Sequence, residues 1–232
     1  MVSLNKKIFL SLTIICLMSL ALVGGILAYF SDKETVSKNI LQAGTLDLEV
    51  EADFSSIPIN LQNLAPGNKG RAGSWTLKNV GSIPGILTIS VGQVINYENE
   101  CVEPEKEGDC QSNGTCGNQD TTCQELEGEL GDYLKLAFWI DVDKDGKWSS
   151  GDYFLKSDGT RVSWEGGNDL PQEAYDFVNS YSEKAWADLQ TIDGGKEGGN
   201  FQVEYFLPEN VGNIVQSDST AFDITLVLNQ AI

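Results

Sequence analysis

The feature that most constrains this chain is a period-two alternation of apolar and polar residues that recurs along most of its length. Leu46, Leu48 and Val50 share one parity, and Asp47 and Glu49 share the other. Side chains of a strand point alternately to opposite faces, so such a stretch makes a strand with one buried face. Trp75 and Leu77 repeat the pattern, as do Leu87, Ile89 and Val91 with Thr88 and Ser90 between them, and then Leu134, Leu136, Phe138 and Ile140. Phe201, Val203, Tyr205 and Leu207 follow, and Phe222, Ile224, Leu226 and Leu228 close the series. Ile57-Pro58-Ile59-Asn60-Leu61 reads as an edge strand, because Pro58 has no N–H for a ladder, and Pro66-Gly67 reads as a turn. Roughly seven or eight strands with long connections predict a mainly β chain, an antiparallel jelly-roll β-sandwich.

One stretch departs from this period. Ala174, Phe177, Val178, Tyr181, Ala185 and Leu189 recur at intervals of three and four. They predict one inserted helix over residues 170–190, with Asp169 as N-cap and Pro171 in the first turn. Its polar face is acidic, which favours a helix covering the core over one lying on a membrane.

The N-terminus carries an export pattern. Lys6 and Lys7 precede an apolar run from Ile8 to Val23, and Gly24-Gly25-Ile26-Leu27-Ala28 offers small residues for a cut before Tyr29. Residues 1–28 are therefore expected to be a signal peptide that meets the membrane only before cleavage. A retained anchor is the competing reading, since Ile8 to Phe30 is long enough to span a bilayer. The formal charge is −19, and loss of Lys6 and Lys7 makes the remainder more negative still. Such a surface repels phosphate backbones and attracts divalent cations, so nucleic acid is not an expected partner.

Export bears on the cysteines. Cys16 leaves with the signal, while Cys101, Cys110, Cys116 and Cys123 cluster in a Gly- and Glu-rich insertion over residues 98–130 that has too few apolar residues for a core. Disulfides are expected to hold this loop, and the spacing does not choose among the pairings. A zinc site is the rival, but there is no C-x-x-C pair and exported thiols oxidise. Asn113-Gly114-Thr115 is an N-glycosylation sequon, with Asn113 as acceptor.

The sharpest chemical motif is the loop Asp141–Asp152, D-V-D-K-D-G-K-W-S-S-G-D. Asp141, Asp143 and Asp145 occupy the first, third and fifth positions of a calcium loop, and Gly146 sits where the tight turn falls. The Lys147 carbonyl, the Ser149 hydroxyl and Asp152 complete the expected ligand set. Three carboxylates so close repel one another unless a hard cation lies between them. The last position is Asp instead of Glu, and a strand instead of a helix precedes the loop. Structural Ca2+ is expected, with a solvated acidic turn as the alternative.

Catalytic chemistry is scarce. The chain has no histidine, which removes Ser-His-Asp triads, Cys–His pairs and the H-E-x-x-H zinc site. Acids are plentiful, but no spacing singles out a glycosidase pair. The glycine pairs at 166–167, 194–195 and 198–199 lack a phosphate-loop context. The expected protein is not an enzyme.

The run Ala28-Tyr29-Phe30-Ser31-Asp32-Lys33-Glu34-Thr35, followed by Ala43-Gly44-Thr45-Leu46-Asp47-Leu48, resembles the start of TasA and camelysin-type proteins. These are secreted, fibre-forming biofilm-matrix proteins related to archaeal bundling pilins. Leu61 to Asn68, then Trp75 to Gly81 with its N-x-G ending, is similar to that family's turn and following strand, and Phe222 to Gln230 resembles its closing strand. The likeness is good over the N-terminal third and weak at the C-terminal end. It implies a jelly-roll subunit, residues 43–232, that polymerises by donor-strand complementation into an extracellular filament or at the cell surface. On that reading residues 29–42 complete the sheet of the next copy, head to tail, with Tyr29, Phe30, Val36 and Ile40 as anchors, and filaments bundle laterally. The alternative for this segment is pairing with its own domain. Camelysin-like sequences carry a metallopeptidase label, so a metallopeptidase is the alternative activity, and a monomeric, calcium-stabilised surface adhesin is a third reading.

Overall fold

The alternating stretches become strands because their branched and aromatic side chains fit a pleated, half-buried surface. A computed structural model describes residues 31–34, 45–52, 61, 64–99, 106, 108–110, 116–117, 119–121, 124–163 and 169–231. The chain divides into Met1–Ser31 and Asp32–Ile232, and the sheets belong to the second unit. The early strands are β1 (Ser31–Glu34), β2 (Leu48–Ala52), β3 (Lys69–Asn79), β4 (Gly85–Val91), β5 (Ile95–Tyr97), β6 (Asp109–Cys110) and β7 (Cys116–Gly117). A four-residue helix, α1 (Leu130–Tyr133), precedes β8 (Lys135–Asp141), β9 (Tyr153–Leu155) and β10 (Arg161–Ser163). Short strands β11 (Asp176–Phe177), β12 (Ala185–Trp186) and β13 (Thr191–Ile192) lead into β14 (Lys196–Phe206), β15 (Ser219–Ala221) and β16 (Ile224–Gln230).

Two sheets carry the fold. In the first, β16 runs antiparallel to β4, with Leu226 opposite Ile89 and Leu228 opposite Leu87. β1 lies on the outer side of β16, and β12 and β13 pair with β4. The second sheet has the order β10, β9, β8, β14, β3, β2, with β11 also on β8. Leu87, Ile89, Leu226 and Leu228 from the first sheet share one buried cluster with Trp75, Leu77, Phe138, Ile140, Phe201 and Val203 from the second. The sheets therefore face each other as an antiparallel β-sandwich. β4 keeps the alternation expected of it, with every second residue buried. Pro66-Gly67 is a turn, closed by the Asn68 N–H donating to the Ala65 carbonyl at 2.9 Å.

The N-x-G sequence has a physical role. Asn79 is fully buried, and its Nδ2 donates to the carbonyls of Ile83 (2.8 Å) and Ile192 (2.9 Å) while Oδ1 accepts the Gly81 N–H (3.0 Å). A Cβ on Gly81 would lie 1.7 Å from the Thr45 carbonyl oxygen, so only glycine fits. The same turn donates from Val80 to Asp47 and from Ser82 to Thr45, both at 2.8 Å. It thereby fastens the point where the sandwich begins.

β8 exceeds what its alternation promised. Leu136, Phe138 and Ile140 enter the main core, and Ala137 and Trp139 on the opposite face are also buried, in a second cluster with Trp148, Phe154 and Ala174. Trp148 of the following loop, Phe154 of β9 and Ala174 of a 3-10 turn supply that outer cover, which no period along β8 encodes.

The helix expected over 170–190 does not form. Residues 172–174 and 178–181 make 3-10 turns, while β11 pairs with Leu136 and Lys135 of β8, and β12 with Ser90 and Ile89 of β4. Glu183 and Asp188 have φ of +58° and +54°, incompatible with a right-handed helix. The apolar residues behind the expectation do mostly point inward: Ala174, Val178, Tyr181 and Leu189 are buried, but Phe177 is 44% exposed. The chain here passes once from the second sheet to the first, and ladder bonds to β8 and then β4 replace the intrahelical ones. Tyr181 shows the anchoring, its hydroxyl donating to the carbonyls of Leu136 and Leu155 at 3.2 Å each.

Candidate metal centre and sheet edge

The loop between β8 and β9 is built around its acids. Asp141, the last residue of β8, is fully buried; its Oδ2 accepts the Gly146 N–H at 2.9 Å and Gln202 Nε2 of β14 at 3.2 Å. Gly146 adopts φ +75°, a turn that suits glycine. Its carbonyl is held by Arg71 Nη2 of β3 at 2.6 Å. Asp143 Oδ1 accepts the Asp145 N–H (3.3 Å), Asp143 Oδ2 accepts the Ser149 hydroxyl (3.2 Å), and Asp145 Oδ1 accepts the Lys147 N–H (2.7 Å). One carboxylate oxygen from each of Asp141, Asp143 and Asp145 lies within 4.8 Å of the others. Burial pushes the Asp141 carboxyl above its usual range, and the charge of Asp152 adds to the rise against the hydrogen bonds from Gly146 and Gln202.

Asp152 stands apart from that trio. It is fully buried, and Oδ1 accepts the Val142 N–H at 2.8 Å while Oδ2 accepts the Ser149 N–H at 2.7 Å. Both oxygens fasten the loop to itself. Lys144, inside the loop, turns out to Glu197 at 2.9 Å.

A second acidic group was invisible in the sequence. Glu98, Glu129 and Asp218 bring carboxylate oxygens within 4.8 Å of one another. Glu98 and Glu129 stand at the two ends of the insertion, where the Glu98 N–H donates to Glu125 at 3.1 Å. Asp218 Oδ2 accepts the N–H of Glu129 (2.6 Å) and of Leu130 (3.1 Å), at the start of α1. No motif links positions so far apart in the chain. Burial raises the Asp218 pKa, and nearby Asp120 adds to the rise. The folded protein thus holds this proton to higher pH than the unfolded chain does, and the associated stability is present at low pH and lost as pH rises through the raised value. In chelator, this group's contribution to the melting temperature is expected to fall as pH rises above the ordinary carboxylate range. Asp218→Asn, which keeps an acceptor for the two amides, is expected to flatten that slope, and an unchanged slope would show that Asp218 does not titrate in this range.

At the first sheet's outer edge, β1 covers only part of β16, four residues against seven. Residues 31–34 thus pair with the sandwich of their own chain. Tyr29, Phe30, Val36 and Ile40 lie outside the described residues, as do residues 1–28, Cys101, Cys123 and Asn113. The backbone of Cys110 is paired opposite Cys116 across β6 and β7. Among the described residues, no helix is long and apolar enough to cross a membrane.

Fold and site together define a β-sandwich whose assembled polar chemistry, among the described residues, is carboxylate chemistry, on a chain without histidine. The family model described as camelysin metallo-endopeptidase matches residues 3–226, so the chain belongs to the TasA/camelysin family. A comparison with curated proteins found no match.

Proposed function

We propose that the mature protein is a secreted structural subunit that polymerises head to tail by strand exchange into extracellular filaments, with lateral bundling between them. The observation that carries this reading is β1, a short strand on the open edge of β16, followed by residues 35–44 before the sandwich resumes at Thr45. Fully extended, that connection reaches about 35 Å. A strand on such a tether makes the same ladder bonds with its own β16 or with that of a second copy. The choice between them is set by protein concentration and by what flanks the strand. Tyr29, Phe30, Val36 and Ile40 are the residues we assign to dock in the neighbour and favour exchange. Exchange in one direction does not close on itself, so it yields a fibre. Membership of the TasA/camelysin family supports the same reading. Disulfides among Cys101, Cys110, Cys116 and Cys123 would suit an extracellular subunit, and the opposed Cys110 and Cys116 backbones favour their pairing. Negative-stain electron microscopy of protein purified from culture supernatant tests the proposal: filaments are expected, and particles that stay monomeric at high concentration oppose it.

The family's description as metallo-endopeptidases favours a second reading, a metal-dependent peptidase. Without histidine, such a centre would rest on carboxylates, an uncommon ligand set for catalytic zinc. Chelator-sensitive hydrolysis of casein by the purified protein would establish it.

A further inference from the structure

We propose that the β8–β9 loop binds one calcium ion through Asp141, Asp143 and Asp145, and that Asp152 is a strut of the loop and not a ligand. Acids close together are common on a protein this negative, so proximity alone does not make a site. What singles out this trio is Asp141. It is fully buried, its Oδ2 is engaged by Gly146 and Gln202, the Lys144 N–H also steadies the carboxylate, and its Oδ1 is buried with no hydrogen bond of good geometry. Among the described residues no cationic side chain pairs with it: Lys144 pairs with Glu197, and Arg71 reaches the Gly146 carbonyl and Glu204. A carboxylate oxygen withdrawn from water without a donor is costly, and a cation shared with Asp143 and Asp145 removes that cost.

The donors identify the ion. All are hard oxygens, on a chain without histidine and with no cysteine in the group among the described residues, which selects calcium or magnesium over zinc. A flexible loop with room for a hydroxyl, a carbonyl and waters suits the larger coordination number of calcium, where magnesium demands a strict octahedron. Ser149 and the Lys147 carbonyl are placed by the loop's spacing to add oxygens. Asp152 lies outside the group of converging oxygens, and each of its own oxygens accepts a backbone N–H within the loop, which assigns it to the loop's frame. The ion would sit where β8, β14 and β3 converge, through Gln202 and Arg71, and beside Trp148, which covers the outer face of β8. Its effect is to stiffen the outer wing of the second sheet.

The test uses the full mature chain stripped with chelator, and it reads the same whether or not filaments form. Terbium titration should give luminescence sensitised by the neighbouring tryptophans Trp139 and Trp148, displaced by calcium. Calcium should also raise the melting temperature by several degrees. Asp143→Asn and Asp145→Asn, at exposed positions, should each weaken calcium about tenfold or more without lowering the chelated protein's melting temperature, since each also relieves carboxylate repulsion. Asp152→Asn should lower the melting temperature in chelator as well as in calcium. Absence of both the terbium signal and the calcium-induced shift at millimolar concentration overturns the site. Asp143→Asn and Asp145→Asn chains that bind calcium like the parent overturn it too. If Asp152→Asn instead loses calcium with its chelated stability intact, Asp152 is a ligand and its assignment as strut is wrong.

Discussion

If the chain assembles by strand exchange as proposed, removing residues 29–40 is expected to leave a folded monomer and no filaments. This is the largest effect expected of any change to the chain, because assembly by strand exchange has a single donor and the deletion takes away all of it. The described core begins at Leu46, and the Thr45–Asp47 entry is fastened by its own hydrogen bonds to the turn after β3. The sandwich is therefore expected to keep its circular dichroism spectrum and a cooperative melt. The exposed edge of β16 then has no partner, and adding the missing segment as a peptide should restore strand pairing without restoring fibres, since a free peptide links nothing. Filaments of ordinary appearance from the deleted chain would remove strand exchange from consideration. A deleted chain that fails to fold would instead show that β1 serves its own sandwich.

Replacing Phe138 by Ala is expected to cost about 3–5 kcal/mol, much of the stability of a typical domain. Phe138 is fully buried where the two sheets meet, with ring centroids 4.7 Å from Tyr181, 5.9 Å from Phe201 and 6.1 Å from Trp186. Each of those rings belongs to a different element, so the cavity left by truncation has no single side chain able to move in. Phe177→Ala is the control. That ring is 44% exposed and lies under the Lys135 ammonium at 4.5 Å, so its loss is expected to cost within about 1 kcal/mol. Urea denaturation of the two variants measures the difference, and equal midpoints would mean that the core is not organised around Phe138.

Much of the sandwich was legible because a strand's side chains report its two faces directly. Leu87, Ile89 and Val91 are buried as their parity required, and Leu226 and Leu228 meet them from the neighbouring strand. The loop Asp141–Asp152 was legible for a related reason: its hydrogen bonds are local, and spacing alone brings Asp141, Asp143 and Asp145 together. Spacing placed Asp152 at the end of the loop, but the position of a residue in a loop does not say which amides its oxygens will meet, here those of Val142 and Ser149. The stretch 170–190 misled through coincidence, since short turns and strands that cross from one sheet to the other can bury residues at intervals of three and four without being helical. The Glu98, Glu129 and Asp218 group left no trace in the sequence, as its members come from the two ends of an insertion and from the approach to β15.

The sequence by itself determined the class of the fold, the parity of its main strands and the acidic loop, because each depends on neighbours within a few residues. Only the tertiary structure decided which edge β1 occupies, how both faces of β8 are covered, and what Asp152 and Asp218 hold. Those outcomes depend on backbone groups and rings distant along the chain, whose approach is set by the packing of the two sheets and by no local pattern.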